Sequence, residues 1–161
     1  MTIERGILIG VTIVSLLLVL VIPREKYRLA LVAFSVKQLI TTILGHVTVE
    51  SGALSYPVRE FAQVNRTSFI YEFLAYPMMC AVFNVYYPVH RNRLWQISYY
   101  IIFCTGLTII ELLILRHTNL IRYDRWNWFW TWGSLFITFI VTRVSCIVFF
   151  KTVHQEYENS R

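Results

Sequence analysis

Acidic residues are scarce in this sequence. Of 161 residues, nine are Asp or Glu, against fifteen Lys or Arg, and charged residues together make up 15%. A water-soluble domain carries about a quarter, so the composition excludes an ordinary charged surface. Glycine and proline are few, six and four, which excludes a collagen-like or low-complexity chain. The three cysteines, Cys80, Cys104 and Cys146, fall one per apolar run with no Cys-x-x-Cys spacing. That excludes a disulfide framework, and they read as small apolar side chains. No phosphate-binding glycine loop, Gly-x-Ser-x-Gly elbow or zincin motif occurs, so no catalytic residue, cofactor or metal site is expected. Internal repeats are absent too, which excludes an inverted-repeat transporter within one chain.

What is present is apolar. Hydrophobic residues make up 57% of the chain, in five runs. They predict an all-α integral membrane bundle, one domain over 1–161, with transmembrane helices at about 6–22, 29–49, 69–88, 95–115 and 126–150. The net charge of +6 sits in clusters at the ends of these runs, where membrane proteins place it; no nucleic-acid partner is expected. Pro23 ends the first run. Gly6 and Gly10 suit close approach of another helix. Residues 50–68 are too short and charged to span, and predict an interfacial or re-entrant segment. Pro77 predicts a kink in the third helix. Trp126, Trp128, Trp130 and Trp132 predict an interfacial belt, and the tail after Phe150 is expected to fray.

Four ionisable residues, Lys37, Glu72, Glu111 and Arg143, interrupt the apolar runs. A charge in hydrocarbon costs several kcal/mol unless paired, hydrated or able to reach the surface. Helical phase gives each a setting. Lys37, Gln38, Thr41, Thr42, Gly45 and Thr48 share one arc of their helix. Tyr100, Cys104, Thr108 and Glu111 share a face of another. Thr131, Ser134, Thr138, Thr142 and Ser145 form a stripe on the last helix.

The first loop holds Arg24, Lys26 and Arg28, which predicts an outside N-terminus and a cytoplasmic C-terminus. Depth then sorts the charges. An outer polar pocket is expected from His46, Glu50, Arg59, Glu60, Arg66, Glu72, Glu111 and Arg116, with arginines pairing the acids. An inner polar layer is expected from Lys37, Gln38, Asn84 and Arg143, with Asn84 accepting from Lys37 and Arg143 free to reach cytoplasmic headgroups. The layers lie about 10–15 Å apart by helix rise, too far for a direct Lys37–Glu72 pair. His46 and Glu50 have metal-compatible spacing, but the third ligand is not fixed by any motif.

Glu4-Arg5-x-Ile7-Leu8, Ile22-Pro23-Arg24-x-Lys26, Lys37-Gln38, Tyr56-Pro57-Val58-Arg59-Glu60-Phe61, Asn65-Arg66-Thr67-Ser68-Phe69, Phe83-Asn84-x-Tyr86-Tyr87-Pro88, Trp126-x-Trp128 and Thr142-Arg143 together resemble a family of small multi-pass membrane proteins from endospore-forming Bacillota. The resemblance spans nearly the whole chain and implies a bacterial plasma membrane; it implies no activity. Three readings follow. The leading one is a non-enzymatic structural or accessory subunit, in a homo-oligomer or with a membrane protein partner. The alternative is a channel or transporter component for a proton, cation or small polar solute. The third is a membrane enzyme using the outer carboxylates.

Overall fold

The computed structural model describes residues 3–159. Helix α1 (Ile3–Val21) is followed by a single 3-10 turn (Arg24–Lys26) and by α2 (Tyr27–Glu50). A short strand β1 (Leu54–Ser55) leads through a loop to a π-helical segment (Ile70–Ala75) that runs directly into α3 (Tyr76–Val85). Then come α4 (Arg93–His117), strand β2 (Arg122–Tyr123) and α5 (Trp128–Asn159). The tail expected to fray instead continues α5 as far as Asn159; Ser160 and Arg161 lie outside the described residues.

The polarity is inside out relative to a water-soluble bundle. Lys37, Glu72, Asn84, Thr108, Glu111, Thr138 and Thr142 are buried, while Leu17 and Leu20 of α1, Ile109 and Ile110 of α4, and Val144 and Ile147 of α5 are exposed. Such faces are unfavourable in water and natural in hydrocarbon. Four helices are long and apolar enough to cross a membrane: Ile3–Val21, Arg24–Glu50, Arg93–His117 and Trp128–Val153. The third apolar run is shorter than expected. Its six π-helical and ten α-helical residues rise roughly 24 Å, short of the ~30 Å hydrocarbon core.

Local chemistry sets the helix ends. Gly52 takes a left-handed φ of 68°, and the Gly52 and Ala53 amides return to the Val49 and Thr48 carbonyls. That is a Schellman stop, open to glycine because it has no Cβ. The Asn92 side chain accepts from the Trp95 amide at 3.0 Å, and Asn127 accepts from the Phe129 and Trp130 amides; these cap α4 and α5. Lys26 Nζ donates to the Val85 carbonyl at 2.8 Å, and the Tyr86 hydroxyl to the Val21 carbonyl. Carbonyls left open at the ends of α3 and α1 thus find donors.

The segment after α2 is not a helix. β1 pairs antiparallel with β2, Leu54 opposite Tyr123 and Ser55 opposite Arg122. This ribbon and the loops around it bury Leu54, Tyr56, Leu120 and Ile121 over one end of the bundle, packed with Leu8 and Tyr71. Toward the other end Phe83 meets Phe103 and Phe139 edge to face and Tyr100 at a tilt, alongside Cys80 and Cys104. Between these two layers lies the polar interior.

Candidate functional site

The site begins with a backbone irregularity. The Tyr76 amide bonds the Tyr71 carbonyl, five residues back. In that widened register the Glu72 carbonyl would face the nitrogen of Pro77, which has no hydrogen. The Thr41 hydroxyl of α2 lies 3.0 Å from this carbonyl. It also lies 2.9 Å from the Lys37 carbonyl and 3.2 Å from the Gln38 carbonyl of its own helix, but those oxygens are in reach of helical donors, so the proton is needed at Glu72. The sequence predicted a proline kink here; what forms is a π turn that puts Glu72 against α2.

Opposite Glu72 stands Gly45. A Cβ there would fall on the Glu72 carboxylate, so only glycine leaves the acid its place. Both Glu72 carboxylate oxygens are buried without a hydrogen-bond partner. Glu111 contrasts with it. Its Oε2 accepts from the Tyr76 hydroxyl at 2.5 Å, and its Oε1 from the Tyr123 hydroxyl at 2.5 Å and the Thr131 hydroxyl at 2.9 Å. Trp126 Nε1 in turn donates to Thr131 at 2.8 Å. Glu111 is a fully dressed carboxylate; Glu72 has no partner within hydrogen-bond geometry, and the Thr67 hydroxyl and His46 are the polar groups that act on its charge.

Both acids line one cavity of about 130 Å³, room for about four waters at liquid density. Lys37, Thr138 and Ser134 lie toward its floor, Thr41, Gly45 and Thr48 along the α2 wall, and Leu54, Tyr56 and Trp126 at the roof. The Lys37 ammonium donates to Thr138 and stands 4.8 Å from the centre of the Phe139 ring. At the roof, burial first and the Glu72 and Glu111 carboxylates next push the Tyr56 phenol well above its ordinary range. Burial and then Glu111 do the same to Tyr123. Both stay hydroxyls.

One member of the expected inner layer, Lys37, therefore shares a space with two of the expected outer acids, Glu72 and Glu111, with no ion pair among them. The described ion pairs are Arg66–Glu50 at 3.1 Å and Arg122–Asp124 at 3.0 Å, both exposed. Among the residues expected in the outer pocket, only Glu72 and Glu111 line the cavity. Glu50 is on the surface with Arg66. Arg59 spends its guanidinium on the Tyr56, Ala62 and Asn65 carbonyls, folding its own loop. Glu60 accepts from the Ser68 hydroxyl and the Ile70 amide, at the start of the π segment. His46 bonds the Thr42 carbonyl of its own helix at 2.8 Å, and Arg116 is exposed. No cluster of three metal-ligating side chains occurs among the described residues.

The inner layer also divides. Lys37 lines the cavity. Gln38 is half-buried and uses its carbonyl to accept from Thr42. Asn84 does not accept from Lys37: its amide turns back to the Cys80 carbonyl at 2.9 Å, and its oxygen is buried unpartnered. Arg143 is half-buried, its guanidinium 4.4 Å from the centre of the Tyr87 ring. Phe83 and Phe139, both fully buried, separate this end from the cavity. Tyr76, Tyr123 and Trp126 are the site residues that sequence reasoning did not single out for it.

No protein-family model, curated protein or solved structure matches this chain. The fold and site define its class by themselves: an all-helical bundle with four apolar helices of spanning length around a charged interior.

Proposed function

We propose that this chain is a multi-pass protein of a bacterial plasma membrane that binds a proton or small cation at Glu72, as a non-enzymatic transporter or channel component. Its N-terminus lies outside and its C-terminus in the cytoplasm; the Ile70–Val85 segment completes a five-helix membrane bundle. The observation that carries this reading is the Glu72 carboxylate, buried without a geometric hydrogen-bond partner, beside a cavity lined by Lys37, Thr41, Glu111 and Thr138. A buried ionised carboxylate without donors is costly, and a proton or a cation relieves that cost. A merely structural acid would be dressed as Glu111 is. The aromatic layer below Lys37 closes the cavity at one end, so the site works as a one-sided binding pocket, and passage across the bundle requires a conformational change or a second copy of the chain.

The test is flux in proteoliposomes carrying an entrapped pH dye, under an imposed potassium diffusion potential, with sodium and methylammonium in parallel assays. Wild type should pass at least one of these ions, and Glu72→Gln should abolish that flux while keeping its melting temperature. Equal flux in both proteins, or none in either, removes the proposal.

The second reading is a structural or accessory subunit. It is favoured by the closed hydroxyl network on Glu111, which ties α3, α4, α5 and the ribbon together whether or not anything is transported.

A further inference from the structure

α1 packs on the π segment and α3 but leaves a slot between itself and α4. The floor of this slot is Tyr71, Ala75, Tyr76 and Met79. Its lips include Val14 and Ile110, which are 58% and 54% exposed. It runs from the level of Ile7 to that of Leu18, roughly 16 Å by helix rise. Its volume is about 310 Å³, about twice the ~150 Å³ engineered cavity that stays dry and takes up benzene. Gly10 is on its α1 wall, and a Cβ there would meet nothing within 4 Å. The glycine expected to draw in another helix instead leaves space.

The slot's surface is almost wholly carbon. Water needs two to four polar partners to occupy such a place. The one carboxylate on its wall, Glu111, already has its oxygens bonded, which leaves the Ser15 and Tyr71 hydroxyls, too few to wet a slot of this volume. A helix is no better fit. With side chains it is about 10–12 Å across, and over this length it would displace several times the volume of the slot. A flexible hydrocarbon chain satisfies every constraint.

We propose that the slot between α1 and α4 is a binding site for one acyl chain of a membrane phospholipid. Its back wall is the Tyr76–Glu111 pair, which also lines the polar cavity. A bound chain packs against the Tyr76 ring and holds its hydroxyl on Glu111. This inference rests on the membrane setting of the bundle and not on cation binding at Glu72, so the two fail separately.

The experiment is photolabelling of the full chain in vesicles of phosphatidylethanolamine and phosphatidylglycerol, doped with a phospholipid bearing a diazirine midway along one acyl chain. Labelled residues are mapped by mass spectrometry. Met79 and Ala75 should carry about tenfold more label per residue than Val141 and Val144 on the outer face of α5, a preference of about 1.4 kcal/mol. Gly10→Phe fills the slot and should bring Met79 down to the α5 level. Ala75→Leu fills it from the floor and serves if Gly10→Phe fails to fold. Equal labelling of Met79 and Val144 in wild type means ordinary boundary lipid and overturns the site. So does wild-type labelling of Met79 that persists in a folded slot-filling variant.

Discussion

The Thr41 hydroxyl stands 3.0 Å from the main-chain carbonyl of Glu72 and supplies the hydrogen that Pro77 withholds. One threonine on α2 thereby fixes the π turn that carries this acid. Thr41→Val keeps the shape and removes the donor. An orphaned buried carbonyl costs about 1–3 kcal/mol, so the melting temperature in detergent should fall, and Thr41→Ser should restore it. A valine variant as stable as wild type would show that the turn holds itself.

Glu111→Gln should destabilise the protein. The amide keeps an oxygen for two of the three hydroxyls and turns a nitrogen toward the third, which must then rotate and accept. A loss of about 1–3 kcal/mol is expected, read as a lower midpoint in thermal unfolding. An unchanged midpoint would mean the network tolerates a missing acceptor.

Glu72→Gln should act in the opposite direction. It removes an unpaired carboxylate from a buried place and leaves no charged partner behind. The unfolding midpoint should stay level or rise. Any stabilisation of wild type by added sodium or methylammonium, which follows from selective binding to the folded state, should vanish. A midpoint that drops as far as in Glu111→Gln would place Glu72 among the structural acids.

Gly45→Ala separates position from stability. Alanine is the better helix former by about 1 kcal/mol. Its methyl group would take the place of the Glu72 carboxylate, the far end of a flexible side chain. The variant should fold at least as well as wild type and lose ion flux. Retained flux would mean that the carboxylate works from elsewhere.

Much of the helical frame was legible in the sequence because hydrophobic runs report helices directly. The arc of Thr41, Gly45 and Thr48 on α2 and the stripe of Thr131, Ser134 and Thr138 on α5 do face the same cavity. The chain order did not reveal what fills the space between them. Tyr76, Tyr123 and Trp126 reach Glu111 and Thr131 through tertiary geometry, and aromatic side chains in and beside apolar runs look alike whether they face lipid or an acid. The arginines misled for a related reason. Arg59 satisfies three carbonyls of its own loop, a local demand that charge counting does not register. Depth along a helix separated Lys37 from Glu72 well enough to exclude an ion pair, but it could not show that one void reaches both.

The ribbon over the cavity has a consequence in time. Its two strands belong to loops on either side of α3 and α4, and each contributes only two residues, Leu54–Ser55 and Arg122–Tyr123. During synthesis the first half must wait, unpaired, until the loop after α4 emerges. The interior is therefore roofed late, by a clasp far weaker than the helices it joins. In the finished protein, exchange between the buried acids and the aqueous phase should be paced by the opening of this ribbon, with the Leu54, Tyr56, Leu120 and Ile121 side chains buried beneath it, rather than by movement of any helix.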